Sequence, residues 1–361
     1  MSASIVKPVS GEVAAATGNI EVKQFTDAVS AAWDRFVGEH PDGTFLHLTN
    51  WKRAIERAFP YQSRYLYAER GGRMEGILPL FLVKNPVIGK VLISTPFAVY
   101  GGICAATEEA HRALREQACR MAQELQVEHL ELRCRHSAGE PGFHTKELYV
   151  SFDREMPADP EALLKSFPKD TRYMVRKGQK AGLTSEIENH SIDVLHDIYA
   201  HSVRNLGTPV FSIRFFRILV EEFGSLIENT VIRQGKEPIA AVMSFRFRDT
   251  IAPYYGGALH EARKVAANNF MYWEVMRRAI EGGLRRYDFG RSKVNTGAHF
   301  FKTQWGMDEK PLPYQFYLVR RKEMPNFSPA NPRFKFAIEA WKRIPVSLAK
   351  LVGPPIIKLF P

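Results

Sequence analysis

The strongest constraint on how this chain folds is that it spells one order of elements twice. A helical pattern near Trp51 to Ala58 leads to an extended stretch from Arg64 to Glu69, a turn at Arg70-Gly71-Gly72-Arg73 and an apolar run from Met74 to Val83. The second half has a helical pattern from Phe215 to Phe223, a strand from Asn229 to Arg233, the turn Gln234-Gly235-Lys236-Glu237 and an apolar strand from Pro238 to Phe247. Extended runs joined by such turns read as hairpins. Tyr100-Gly101-Gly102 and Tyr255-Gly256-Gly257 come next, each closing an extended stretch where glycine permits a bend or a close backbone approach. Helical patterns near Glu109 to Leu125 and Asn268 to Ile280 follow. Short strands from His129 to Arg133 and from Arg286 to Phe289 then make Glu131 of one half answer Asp288 of the other. Such ordered recurrence implies duplication of one lobe built from both helices and strands.

A chain of 361 residues has room for two lobes that each bury a core. Between them, Pro157 to Gly182 is a charged connector with helices predicted on either side of Pro168. The expected division is a disordered leader over 1–19, lobes over 20–152 and 185–322, a basic helical connector over 153–184 and a basic amphipathic tail over 323–361. Lys and Arg outnumber Asp and Glu by 50 to 39, and the net charge of +11 favours a polyanionic partner or an anionic surface. Transfer RNA, a nucleotide- or lipid-linked pyrophosphate, the phosphates of coenzyme A and a membrane leaflet all fit, and so does charge kept for solubility alone. Cys104, Cys119 and Cys134 suggest neither a metal site nor a disulfide framework, which fits a reducing compartment. The first residues lack the apolar core of a signal peptide, and nothing approaches the roughly 20 apolar residues that span a bilayer. The expected location is cytoplasmic, with peripheral contact at the inner face of the membrane left open.

Chemistry concentrates between Tyr287 and Gly306. Asp288 is expected at or near the end of a buried strand, with the chain opening at Gly290. Phe301 and Trp305 are four apart and share one helical face, which leaves Lys302 beside an apolar wall that lowers its hydration. A lysine so held can stabilise a developing oxyanion or bind a carboxylate. The same spacing also fits a strand-capping Asp288 and a Lys302 that snorkels to the surface. His299 can serve as a general base or simply cap the helix. In the connector, Arg172, Arg176 and Lys180 recur every four residues and line one helical face, where they meet either solvent or phosphates.

The sequence Asp288-Phe289-Gly290-Arg291-Ser292, followed by Phe301-Lys302-x-x-Trp305-Gly306, resembles the Fem (FemAB) family of aminoacyl transferases and its acyltransferase relatives. A second match, Lys169 to Leu183, is similar to the R-x-x-I/V-R-K-x-x-K-x-G segment that such proteins carry between lobes. The resemblance spans roughly residues 20–322 and is nearest to Fem-like proteins of exosortase and exopolysaccharide systems. It implies an α+β fold of two tandem GNAT-like lobes, each a mixed sheet flanked by helices. It also implies transfer of an aminoacyl or acyl group to an amine of a peptidoglycan or exopolysaccharide precursor. Carried onto this chain, Lys302 and Asp288 become the catalytic candidates, and Arg291, Phe301, Trp305, Tyr255, Arg172 and Arg176 the substrate-binding ones, with no metal.

No tightly bound cofactor is expected, and the donor is either aminoacyl-tRNA or acyl-CoA. GNAT proteins hold the coenzyme A pyrophosphate on a Q/R-x-x-G-x-G/A turn that opens a helix. Here that place reads Arg263-Lys264-Val265-Ala266-Ala267-Asn268, with neither glycine, and Ala serves there if the backbone stays right-handed. Two other readings stand beside the leading one: an acyl-CoA dependent acetyltransferase of an exopolysaccharide system, and a non-catalytic assembly factor that binds RNA or membrane. In the tail, Phe334, Ala337, Ile338 and Trp341 share a helical face flanked by Lys335, Lys342 and Arg343. Residues 332–361 thus suit either peripheral membrane contact or packing on the protein's own body. Pro345, Pro354 and Pro355 are expected to interrupt any longer helix.

Overall fold

The computed structural model describes residues 18–136, 139, 141–325 and 332–361, so the leader expectation lies almost wholly outside the described residues. The first half runs β1 (Glu21–Gln24), α1 (Ser30–Glu39), α2 (Thr49–Ala58), β2 (Gln62–Ser63), β3 (Leu66–Arg70), β4 (Arg73–Leu78), β5 (Phe81–Asn85), β6 (Gly89–Ile93), β7 (Cys104–Ala105), α3 (Glu108–Glu124), β8 (His129–Arg133) and β9 (His144–Glu155). The connector forms α4 (Pro160–Ser166) and α5 (Lys169–Lys180). The second half runs β10 (Leu183–Ile187), α6 (Ile192–Leu206), α7 (Ile213–Phe223), β11 (Ile227–Gln234), β12 (Glu237–Phe247), β13 (Thr250–Ala258), α8 (Ala267–Glu281), β14 (Arg286–Lys293), α9 (Gly297–Thr303) and β15 (Asp308–Leu318). Two tail helices follow, α10 (Pro332–Trp341) and α11 (Val346–Ile357).

Both halves are mixed sheets flanked by helices, and they share one open seam. In the first half, β6 and β8 pair in parallel only at Leu92↔Leu130 and Ile93↔Glu131; in the second, β13 and β14 pair in parallel only at Thr250↔Arg286 and Ile251↔Tyr287. Beyond those two pairs the strands part, and the chain reaches a Tyr-Gly-Gly segment further along each half. A Cβ at Gly101 would sit 2.3 Å from Thr95 Oγ1, and one at Gly257 2.2 Å from Ser202 Cβ, so each accepts a neighbour too close for any side chain.

The halves also exchange strands. β9 pairs with β14 of the second half, while β15 pairs with both β8 and β9, which joins eleven strands in the order β10-β11-β12-β13-β14-β9-β15-β8-β6-β5-β2. A separate four-stranded sheet, β1-β3-β4-β7, covers α3. Where the sequence suggests one apolar strand from Met74 to Val83, the chain breaks at Pro79 and passes from the small sheet into the large one. Proline supplies no N–H to a ladder, which favours the break there.

One aromatic core runs across both halves, with Phe45 stacked on Phe245 at 4.3 Å and Trp51 edge-on to Phe223 and Tyr254. Pro354 and Pro355 lie inside α11, so of the prolines expected to interrupt the tail only Pro345 separates helices. No described helix is long and apolar enough to cross a membrane.

Candidate functional site

β14 does not stop where the chain was expected to open. It continues through Gly290 to Lys293, with a bulge that shifts the pairing to β9 between Asp288 and Gly290. Gly290 takes φ +68°, a left-handed conformation that favours glycine. The bulge turns successive peptide carbonyls toward α9, and Lys302 gathers them. Its Nζ donates to the carbonyls of Phe289 (2.5 Å), Gly290 (3.2 Å) and Arg291 (2.9 Å). Three acceptors match the three donors of an ammonium group.

Lys302 is therefore no snorkelling lysine. Its Nζ lies 5.0 Å from the Phe289 ring centre and 6.0 Å from that of Phe152, and desolvation lowers its pKa to about 7 despite the nearby Asp288 carboxylate. The apolar wall was expected from Phe301 and Trp305. In fact α9 ends at Thr303 and Trp305 sits in the following turn, fully buried among Phe167, Tyr272, Phe289 and Phe301. These aromatic groups brace the bulge from behind. Thr296 caps α9 through its side chain, and His299 instead reaches Glu309 at 3.2 Å.

Asp288 meets the other half of the molecule. Its Oδ1 accepts from Tyr100 Oη at 3.2 Å and from the Gly290 N–H at 2.8 Å, and Arg135 lies 4.5 Å from the Tyr100 ring centre. Across the ladder, Asp288 faces Asp153, itself paired to Lys310 at 2.7 Å and 3.0 Å. Desolvation raises the Asp288 pKa above the ordinary carboxylate range; Arg135 and the Gly290 N–H oppose this, and Asp153 adds to it. Tyr100 is one residue the sequence pointed to as a landmark but not as a partner, and Arg135 and Asp153 gave no signal at all. Their role arises from the strand exchange.

Arg291, three residues further along β14, faces a different space. Its guanidinium lies 4.7 Å from the Tyr149 ring centre and 5.6 Å from that of Tyr314, and it donates to Tyr314 Oη at 2.8 Å. Together they line a cavity of about 660 Å³ that also takes in Glu131, Arg133 and the tail. Asp288 and Lys302 do not line it; they lie behind the Arg291 backbone.

Tyr255 stands apart from this cluster, in the aromatic core among Tyr199, Phe211, Phe215 and Phe216, with its buried hydroxyl unpartnered. Its neighbour Tyr254 makes the contact between halves, donating to the Phe97 carbonyl and accepting from the Val99 N–H. Arg172 and Arg176 lie on α5, which is tied to the turn after α9 by Thr171 Oγ1 on the Gln304 carbonyl at 2.5 Å. Arg172 bonds the Lys165 carbonyl, Arg176 is exposed, and neither has an acidic partner among the described ion pairs.

The turn before α8 holds a further departure. Ala266 takes φ +56° and ψ +35°, so the right-handed backbone on which alanine could stand in for the missing glycine is not adopted there. A left-handed alanine costs about 1–2 kcal/mol, which the surrounding turn must over-determine.

The comparisons agree with this architecture. Residues 165–303 match the acetyltransferase (GNAT) domain family, and no curated protein matches the sequence. The fold is similar to that of FemX, at 16% identity and a TM-score of 0.67 over 88% of this chain and 100% of that one. It is also similar to L-PGS from Bacillus licheniformis, at 13% identity and a TM-score of 0.51 over 85% and 97%. A tandem GNAT protein from the clavulanic acid biosynthesis pathway matches at 12% identity and a TM-score of 0.51 over 84% and 100%. The chain therefore has the fold of two tandem GNAT-like lobes, similar to that of FemX.

Proposed function

We propose that this protein is an N-acyltransferase of Fem-like type that moves an aminoacyl or acyl group onto an amine of a cell-envelope precursor. The observation that carries the reading is the β14 bulge, where a lysine with a pKa near 7 cages three carbonyls immediately behind an aspartate whose own pKa is raised. A carboxylate so raised is suited to take the proton that an attacking amine releases. The amine nitrogen bonds to the acyl carbon, the tetrahedral intermediate collapses, and the bond to the ribose oxygen or the thiol sulfur breaks. The departing group then takes up a proton, so charge balances. Lys302 is a positioning residue here: it fixes the Asp288-to-Arg291 backbone and supplies positive potential for the oxyanion. Arg291 binds an anionic part of the acceptor.

The donor is an aminoacyl-tRNA in the leading reading, with the exposed cations of α5 lying near the site to meet its phosphates. A second reading is an acyl-CoA donor, whose pyrophosphate would lie at the N-terminus of α8, where the chain turns through Ala266. Calorimetric titration with acetyl-CoA at low salt separates them. One-site saturable binding selects the thioester; no heat, with turnover of a charged tRNA, selects the ester. Absence of acyl transfer from either donor to amine-bearing peptidoglycan or exopolysaccharide precursors would sink the proposal.

A further inference from the structure

The 660 Å³ cavity beneath the tail has a shape and a polarity that acyl transfer by itself does not require. Its walls are apolar and come from both body and tail, among them Ile88, Ile93, Phe316, Ile338, Trp341 and Ile356. Its volume falls within the roughly 300–1,000 Å³ of ordinary ligand sites. The tail closes it from outside through bonds that span the opening: Trp341 Nε1 to the Thr208 carbonyl, Tyr61 Oη to the Lys358 carbonyl, and Arg133 to the backbone oxygen of Pro361.

The other end of the cavity is cationic. Arg133 is committed to Glu131 at 2.9 Å, but Arg291 and Lys146 have no carboxylate partner among the described ion pairs. Among the described residues Lys146 reaches the Pro325 carbonyl and the Phe316 ring, and desolvation lowers its pKa, an effect that Glu131 opposes and that a bound anion would also counter. His129 on the same wall is 2% exposed and its Nδ1 has no partner among the described residues, so a ligand in the cavity could satisfy it. Burial holds this imidazole neutral, with a pKa of about 4, so it can accept or donate a hydrogen bond without adding charge.

The outer face of the tail shows where such a ligand would enter. Phe336 is 86% exposed, Leu351 73% and Leu348 42%, all on the two helices that roof the cavity. Lys342, Arg343 and Lys358 lie on the same segment. Exposed apolar groups beside cations are the composition of a helix that rests in a membrane interface.

We infer that the cavity under α10 and α11 binds the hydrocarbon chain of an anionic membrane amphiphile, with its head on Arg291 and Lys146 and the tail helices docked on the bilayer. The head then lies on the strand whose backbone Lys302 holds, so the pocket presents a lipid-linked substrate to the bulge. That last step rests on the proposed acyl transfer, whereas the binding itself does not.

The test is equilibrium binding of cis-parinaric acid to the full chain, read by fluorescence, together with sedimentation on phosphatidylglycerol and phosphatidylcholine vesicles. One probe should bind per protein and be displaced by palmitate. Ile356→Trp, which fills the cavity from the tail, and Ile88→Trp, which fills it from the body, should each weaken the probe by about tenfold or more. Phe336→Ser with Leu351→Ser should cut sedimentation on phosphatidylglycerol vesicles severalfold and leave probe binding intact. Equal probe affinity in both filled variants, at unchanged melting temperature, would overturn the site. Equal sedimentation on both vesicle types would overturn the anionic head, and probe binding without any vesicle binding would overturn the bilayer source. Asp288→Asn should leave probe binding unchanged, which separates failure of this pocket from failure of the acyl-transfer reading.

Discussion

Glu131 and Asp288 occupy corresponding places in the two halves, each next to the point where a parallel strand pair parts, yet their surroundings are opposite. Desolvation alone would raise the pKa of Glu131, but the guanidiniums of Arg133, at 2.9 Å, and Arg291 pull it below the ordinary range. Asp288 is raised instead: among the described ion pairs no cation reaches it, and Asp153 stands across the ladder. Duplication thus gave one framework two uses. In the first half the acid is neutralised by its own strand neighbour and holds structure; in the second it is left poised, and the nearby Lys302 bonds backbone rather than carboxylate.

The largest effect should come from breaking the poised half. Asp288→Asn keeps an acceptor for Tyr100 and the Gly290 N–H but removes the base, so steady-state acyl transfer should fall by about 10²- to 10⁴-fold. Folding should not suffer, and above the folded pKa of Asp288 the variant should be the more stable one. The sign follows from linkage: a folded pKa above the unfolded value gives stability at low pH that is lost as pH rises through the folded pKa. Melting temperatures of the two proteins should therefore coincide at acid pH and separate as pH rises. A gap that opened in the other direction would mean that Asp288 is held charged by a partner.

Glu131→Gln should give the converse result. It leaves the buried Arg133 without its carboxylate and should cost about 3 kcal/mol in urea unfolding, the lower end for a broken buried pair, because Thr95, Ala98 and Pro361 still accept from the guanidinium. If Glu131→Gln were neutral to stability, the contrast between the halves would lose its basis.

The pH dependence of turnover sharpens the contrast further. Lys302 has a folded pKa of about 7 against an ordinary 10.5, so it loses its proton, and with it one of three carbonyl bonds, as pH rises through neutrality. Stability should rise with pH between about 7 and 10.5, the reverse of the usual lysine behaviour: the unfolded chain holds the proton that the folded one has released, so ΔG of unfolding increases across that window. Turnover should move the opposite way and fall above about pH 7. Lys302→Arg, which stays charged, should abolish the falling limb of the pH profile even where the rate itself drops. A rate that climbed through the same range would identify the free amine as the working form.

How much of this could be read beforehand depends on whether the signal was local. The hairpins, the helices before each short strand and the hydrophobic setting of Lys302 were legible, because turn glycines and apolar spacing act over a few residues. His129 to Arg133 was placed to the residue. The bulge at Asp288 was not, since a ladder shift depends on the partner strand, and β9 arrives from the other half. The same exchange hid Tyr100, Arg135 and Asp153, whereas Tyr255, which repeats the Tyr100 motif, packs on α6 and α7 of its own half. The fate of Pro354 and Pro355 also turned on context. Both stand in the last turn of α11, which ends at Ile357, so few further helical bonds remain for them to break.

The smallest expected effect concerns the stripe on α5, where sequence spacing and structure agree and only the ligand is open. Arg172 and Arg176 stand on a surface that braces the bulge through Thr171, but they do not touch it themselves. Their contribution to a nucleic-acid donor would be purely coulombic. Each phosphate deprived of its arginine should therefore reduce the slope of log binding constant against log salt by about 0.7 to 0.9. Arg172→Ala with Arg176→Ala should lower tRNA affinity at low salt, lose that deficit as salt rises, and leave the kcat of an already bound substrate unchanged. If affinity fell equally at every salt concentration, α5 would be acting on the shape of the site through Gln304 and not through charge. A slope that did not change at all would point to a donor other than tRNA.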